Sequence, residues 1–252
     1  MRWTDDGWLS TLAGDALPSL LEDAPRTVDA LPLPEEPAAR AFEGGELPIE
    51  FQWLRCPEPS ELFSLEARPG HLRLFGRESI GSLFHQSLVA RRQTSHSFSA
   101  TMRFEFEPEH FQQSAGLVCY YNGSKFHYLF VSRDDVHGKY LRVHSCLPDQ
   151  LLTDVFSDFV PIETGKRIEL RVEVDRERLQ FAFRLEGEPW RFIPQTFDAS
   201  ILSDEAGPPG PPNFTGAFVG MSCQDLAGTR CAADVADFSY RDRAFQGPPW
   251  AP

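Results

Sequence analysis

From Ile49 to Arg243 the chain is written almost entirely in short runs of period two. "HLRLFG" (71–76) places Leu72 and Leu74 on one face and His71 and Arg73 on the other, and "MRFEFE" alternates Phe104 and Phe106 with Arg103 and Glu105. Such alternation belongs to half-buried strands, because successive side chains leave a strand on opposite faces. The same signal recurs in "IEFQWLR", "LFSLEAR", "SLFHQSLVARR", "SAGLVCYYN", "KFHYLFVSRD", "KYLRVHSC", "KRIELRVEVDRERLQFAFRLEG", "GAFVGMSCQD" and "DVADFSYRDR". No apolar stripe of helical period runs beyond three turns, and "SILSDEAG" offers at most one short helical turn. The expected fold is all-β, an antiparallel sandwich or barrel. "VDRERLQFAF" is expected to be a hairpin turning on its charged centre.

The flanks read differently. Residues 1–21 contain "DDGW", a turn between two short apolar runs, which suggests one terminal hairpin too small to bury a core alone. Residues 22–48 carry Pro25, Pro32, Pro34, Pro37 and Pro48 among glutamates and alanines, the composition of an extended linker. The sandwich domain is therefore expected over 49–243, with 244–252 ("FQGPPWAP" in the main) as a flexible tail.

Bulk properties exclude several functions. With 24 basic against 37 acidic residues the formal charge is −13, so the basic field that a nucleic-acid binder needs is missing. No stretch reaches 18 apolar residues, so no membrane span is expected. Five cysteines without a C-x-x-C pair make an odd, scattered set, which points to a reducing, cytoplasmic setting. The seven histidines fall in no H-E-x-x-H frame, no G-x-S-x-G marks a nucleophile, and "GRESIGS" lacks the lysine of a phosphate loop.

Four groups of residues remain as candidates. In "GRES", Arg77 can donate a fork of hydrogen bonds and Glu78 can accept them or pair with a neighbour. This cluster either ties a strand end or forms a polar rim facing a ligand or partner domain. In "FQQSAGLVCYYN", Gln112, Tyr120 and Tyr121 could stack on and hydrogen-bond a sugar; the same tyrosines could simply end core strands. Glu66, Glu78, Glu105 and Glu107 read as surface groups, and nothing selects two of them as an acid and base pair. Asp237, in "DVADF", is a weak candidate for a structural calcium, which would need several oxygen ligands.

"FQWLR", "SLEARPGHLRLFGRESIGSLFHQSLVARRQ", "FEFEPEHFQQSAGLVCYYN" and "FTGAFVGMSCQD…ADFSYRD" together resemble the C-terminal concanavalin A-like domain of glycoside hydrolase family 43 β-xylosidases. The resemblance runs from about residue 42 to 243 and implies a jelly-roll type antiparallel sandwich. It implies a partner as well: a five-bladed β-propeller, in cis or in trans, that carries the catalytic carboxylates and hydrolyses β-1,4-xylosides or α-arabinosides with inversion. The opening "RWTDDGWLSTLAGDALP" resembles the end of that propeller. The family's catalytic acid, base and orienting aspartate have no matching positions here, so no residue is assigned to them, and the chain alone is expected to be inactive.

By the same resemblance, the segment ending in Asn213 and Phe214 reaches the mouth of the propeller's pocket, with Phe214 or its neighbour as a wall for xylo-oligosaccharide or arabinoside. Some members of the family place an aromatic where Asn213 stands, which implies a weaker closure here. Ala41, in "RAFEGG", stands where the family has an aspartate, so Asp237 is expected to lack its partner and calcium is doubtful; no other cofactor is implied. Two other readings stay open. A free carbohydrate-binding module would need an exposed aromatic platform, drawn from Tyr120, Tyr121, Phe126 and Tyr128. A sandwich with its own glycosidase site would need two carboxylates across a groove. Self-association into a homo-oligomer is compatible with any of the three.

Overall fold

The computed structural model describes residues 2–11, 39–148, 153–207 and 215–242. The chain divides into two compact units, 1–36 and 37–252. In the first, β1 (Arg2–Trp3) and β2 (Leu9–Ser10) pair antiparallel, with Arg2 opposite Ser10 and Trp3 opposite Leu9. The "DDGW" turn between them has Gly7 at φ 84°, a left-handed conformation that glycine adopts without strain. Thr4 closes it, accepting the Trp8 N–H on its hydroxyl at 3.0 Å.

The second unit contains sixteen strands and two single turns of 3-10 helix among its described residues. They are β3 (Arg40–Ala41), β4 (Phe51–Trp53), β5 (Phe63–Ser64), β6 (Leu72–Phe75), β7 (Ser87–Arg92), β8 (Ser97–Glu105), β9 (Gln113–Asn122) and β10 (Lys125–Asp134). Then follow β11 (Gly138–Cys146), β12 (Asp154–Phe156), β13 (Val160–Pro161), β14 (Ile168–Asp175), β15 (Arg178–Leu185), β16 (Arg191–Asp198), β17 (Phe218–Asp225) and β18 (Ala232–Asp242). The 3-10 turns are Pro59–Glu61 and Ala199–Leu202.

The strands form two eight-stranded sheets. One runs β12-β11-β10-β9-β17-β7-β4, with β13 also on β11; the other runs β16-β15-β14-β8-β18-β6-β5, with β3 also on β18. Every named pairing is antiparallel, so the expected all-β sandwich is the fold. Because side chains alternate, each sheet turns apolar rows to the core. Val143, Leu129, Leu117, Met221 and Val89 are cross-strand partners in one sheet, and Leu72, Val235, Phe104, Ile168 and Leu185 in the other. All ten belong to one buried cluster. Each such side chain contributes about 1.5–3 kcal/mol by leaving water.

Two details differ from the sequence reading, and a third part of it lies outside the described residues. The sandwich begins before residue 49: Arg40 and Ala41 pair with Phe238 and Asp237 of β18, and Phe42 is core. A two-residue strand is too short to show a period. The second is β16, which carries Pro194 and follows no clean alternation. It survives because it is an edge strand, where a missing N–H costs no ladder bond. The third is the 22–48 linker, which lies outside the described residues as far as 38, as do the tail from 243 and the Asn213–Phe214 pair.

The first sheet is buried on both faces. Leu117, Cys119 and Tyr121 of β9 face the main core, while Val118 and Tyr120 join a second cluster with Ile80, Leu88, Ala90, Phe126, Tyr128, Cys146 and Phe218. Leu54 packs against that cluster from the segment after β4, and Ile80 comes from the segment after β6. Double burial explains why β9 and β10 read as near-continuous apolar runs.

Candidate functional site

The sandwich anchors both sides of the segment that carries Asn213 and Phe214. Tyr121, fully buried near the end of β9, donates its hydroxyl to the carboxylate of Asp204 and accepts the Thr215 N–H at 3.3 Å. Burial, and then the Asp204 contact, push the Tyr121 phenol above its ordinary range, so it stays a donor. Lys125 Nζ donates to the Ser203 carbonyl at 2.9 Å and lies 4.7 Å from the Tyr121 ring centroid. Burial lowers the Lys125 pKa, with Asp204 and Glu205 opposing. Arg92 Nη1 donates to the Thr215 carbonyl at 2.7 Å and stacks over Phe218. Residues 203–204 and 215 are thus tied to β7, β9 and β10. Beside them a cleft of about 960 Å³ opens between Thr94, His96, Arg176, Glu177, Ser203 and Ala217.

The "GRES" residues lie where the chain crosses from one sheet to the other. Gly76 N–H donates to the Cys231 carbonyl at 2.9 Å, and a Cβ at Gly76 would stand 2.5 Å from the Cβ of Asp225. Only glycine lets the backbone pass there. Arg77 forms a parallel bridge with Gln224, and its carbonyl accepts the Asp225 N–H at 2.7 Å. Its guanidinium reaches back to Glu61, donating from Nε to the backbone carbonyl at 2.8 Å and from Nη2 to the carboxylate at 3.3 Å. Glu78 accepts from the Ser82 hydroxyl and the His85 N–H, and these bonds lower its pKa below the ordinary value. Arg77 and Glu78 therefore hold two different neighbours and do not form a pair of their own.

The tyrosine and glutamine candidates separate. Gln112 is exposed, and its carbonyl accepts the Leu226 N–H at 3.0 Å. Tyr120 is buried with its hydroxyl on Gln86 Oε1 at 3.3 Å. Tyr120, Tyr121, Phe126 and Tyr128 are each no more than 2% exposed. The aromatic platform expected of a free carbohydrate-binding module is therefore not available from these four. They are covered because both faces of their sheet are packed.

Of the surface carboxylates, Glu105 pairs with Arg68 and Arg167 and Glu107 with Lys139, while the largely buried Asp234 pairs with Arg68 and Arg73. Asp237 lies opposite Ala41 in the β3–β18 register, and its carboxylate pairs with Arg103. A methyl group on one side and, among the described residues, no further carboxylate on the other do not supply the several oxygens that a calcium ion needs.

One cluster escaped the sequence reading. The ligand-type atoms of Cys56, Glu61 and His85 all lie within 4.8 Å of one another. Cys56 Sγ is 3.9 Å from His85 Nδ1, which is 3.8 Å from Glu61 Oε2. Spacings of five and 24 residues match no local metal frame; only the folding of two loops onto one another brings them together.

Two antiparallel eight-stranded sheets over a shared core, with a tethered crossing between them, define a concanavalin A-like sandwich. Residues 39–241 match the family described as "Beta xylosidase C-terminal Concanavalin A-like domain", and the chain belongs to that family. It is 40% identical over 243 residues to a xylosidase/arabinosidase 43B of Humicola insolens, spanning 95% of this chain and 44% of that protein. It is 37% identical to a β-xylosidase of Bacillus subtilis, over 96% of this chain and 45% of the relative. The crystal structure of a xylan β-1,4-xylosidase from Bacillus halodurans superposes with a TM-score of 0.84 at 36% identity, covering 96% of this chain and 46% of that one. The chain thus spans less than half the length of the relatives it matches.

Proposed function

We propose that this chain is the accessory sandwich of a β-xylosidase-like glycoside hydrolase of family 43, docking on a β-propeller catalytic domain in cis or in trans and completing its sugar pocket. The observation that carries this reading is the family match across 39–241, shared with relatives named as β-xylosidase and xylosidase/arabinosidase. The tethering of Ser203, Asp204 and Thr215 supports it, since a rigid mount suits a segment whose aromatic residue must meet a substrate held elsewhere. Phe214 is the proposed wall and Asn213 its neighbour; the ligand class is a xylo-oligosaccharide or arabinoside. The chain alone supplies no carboxylate pair assigned to the reaction and is inactive in this reading. Its odd count of five cysteines suits a cytoplasmic setting.

The test is release of p-nitrophenol from p-nitrophenyl β-xyloside by the purified chain, alone and mixed with a family propeller domain. Activity that requires both parts supports pocket completion. Turnover by the chain alone would place a carboxylate pair inside the sandwich and refute the proposal, and so would a propeller whose rate is indifferent to the added chain.

A further inference from the structure

We propose that Cys56, Glu61 and His85 form a binding site for a divalent transition metal of the zinc type, separate from any sugar chemistry. The donor set selects the class. A thiolate and an imidazole are poor partners for calcium or magnesium, whereas zinc takes sulfur, nitrogen and carboxylate oxygen together. One thiolate and one carboxylate also neutralise a charge of +2.

The spacing fits. For tetrahedral bonds of about 2.3 Å to sulfur and about 2.0–2.1 Å to nitrogen or oxygen, ligand atoms stand about 3.6 Å (S to N) and about 3.3 Å (N to O) apart. The present separations are 3.9 Å from Cys56 Sγ to His85 Nδ1 and 3.8 Å from His85 Nδ1 to Glu61 Oε2. A contraction of about half an ångström or less would close these two edges on an ion, and the third, from Cys56 to Glu61, lies within 4.8 Å. Cys56 is buried while Glu61 and His85 are half exposed, so an ion can enter from the solvent side and keep a water as its fourth ligand.

The surroundings are those of a built site. Each donor comes from a different backbone element, and each element is fixed independently. Cys56 follows Arg55, which stands at φ 54°, a left-handed conformation costly for a residue with a side chain. Trp53 Nε1 holds that turn by donating to the Cys56 carbonyl at 3.0 Å, and the Cys56 thiol points toward the Glu58 carbonyl at 3.3 Å. Glu61 ends the 3-10 turn; Arg77 holds its backbone carbonyl through Nε and its Oε2 through Nη2, which leaves that oxygen a second lone pair for an ion. His85 is set by the Glu78 carboxylate through its N–H. Arg77 and Glu78 thereby acquire one role between them, as outer partners that orient two of the three ligands. On binding, the Cys56 thiol gives its proton to solvent and sulfur bonds the ion.

Cobalt is the probe. The full chain, stripped with a chelator, is titrated with Co²⁺ and followed for the thiolate-to-cobalt charge-transfer band and the visible bands of tetrahedral cobalt, then back-titrated with Zn²⁺. One ion per chain, with both signals lost to zinc, is the expected result. Cys56→Ser should abolish the charge-transfer band. His85→Asn should weaken binding at least tenfold, and Arg77→Ala about tenfold, as outer-partner losses do. Cys231→Ser, which removes the half-buried cysteine outside the cluster, should change nothing. His85 is half exposed, so its variant keeps the test valid if Cys56→Ser fails to fold. Absence of the charge-transfer band in the wild type, its persistence in Cys56→Ser or unchanged affinity in His85→Asn would each overturn the site.

Discussion

Glu78 and His85 exchange two hydrogen bonds: the Glu78 N–H donates to the His85 carbonyl at 3.2 Å, and the His85 N–H donates to the Glu78 carboxylate at 3.2 Å. The Ser82 hydroxyl adds a third bond to the same carboxylate. Residues 78–85 are thus a closed loop held by one acidic side chain. Glu78→Ala should speed amide exchange at His85 and Phe84 markedly. Because Glu78 is exposed, global stability should fall by about 1 kcal/mol or less. Unchanged exchange at His85 in a hydrogen-exchange comparison would show that the backbone bond alone closes the loop.

Asp234 accepts from Arg73 Nε at 2.7 Å and from Arg68 Nη1 at 2.8 Å while largely buried. Burial by itself would raise its pKa; the two arginines outweigh burial and hold it below the ordinary value. Asp234→Ala leaves two half-buried guanidinium groups without their common acceptor and should cost about 2 kcal/mol in urea unfolding. Since the folded pKa lies below the unfolded one, this contribution is present above the ordinary carboxyl range and is lost as pH falls through the folded value. A variant as stable as wild type at pH 7 would mean that Glu105 takes over both arginines.

His127 is fully buried between the Ser145 hydroxyl at 2.7 Å and the Asp198 carbonyl at 2.9 Å, with Phe197 against its ring. Burial lowers its pKa to about 4, against partial opposition from Asp198. The unfolded chain therefore binds a proton that the folded chain refuses. The His127 contribution is complete above about pH 6.5 and declines toward pH 4, by on the order of 3 kcal/mol in all. His127→Gln should flatten the dependence of unfolding free energy on pH in that window. An equal slope in wild type and variant would assign the acid sensitivity to other groups.

Gly116 sits at the middle of β9, opposite Phe130 of β10 and Ser222 of β17. A Cβ there would fall 2.0 Å from the Leu129 carbonyl oxygen, an approach no side-chain rotation relieves. Gly116→Ala should cost about 3 kcal/mol or more, at or above the usual range for overpacking, because backbone must move. Soluble protein with an unshifted midpoint would show that β9 and β10 can slide apart locally.

Tyr121→Phe removes the hydroxyl shared by Asp204 and Thr215 and should cost about 1 kcal/mol in stability. If the proposed docking is right, it should also reduce the rate of the chain mixed with a propeller, and Phe214→Ala should reduce it more while leaving the sandwich folded. Full activity of Phe214→Ala in the mixture would remove that residue from the pocket.

The sequence by itself determined the strand content and the all-β class, because a period of two and a turn are properties of a few adjacent residues, and its motifs carried the family resemblance that implied a sandwich. It marked Arg77 and Glu78 as a polar cluster just past a strand, and they follow the end of β6. What it left open was which groups meet. The 121-to-204 anchor, the 68-to-234 ion pair and the 61-to-77 fork join residues 83, 166 and 16 positions apart. It also could not say that Tyr120 and Tyr128 are covered, since alternation shows that a strand has two faces but not whether a loop will lie on the outer one. Cys56 and His85 met only after the segments following β4 and β6 folded over that face. In an antiparallel sandwich most stabilising contacts are of this long-range kind, so local pattern decides the elements, while register, crossing and loop packing decide the sites.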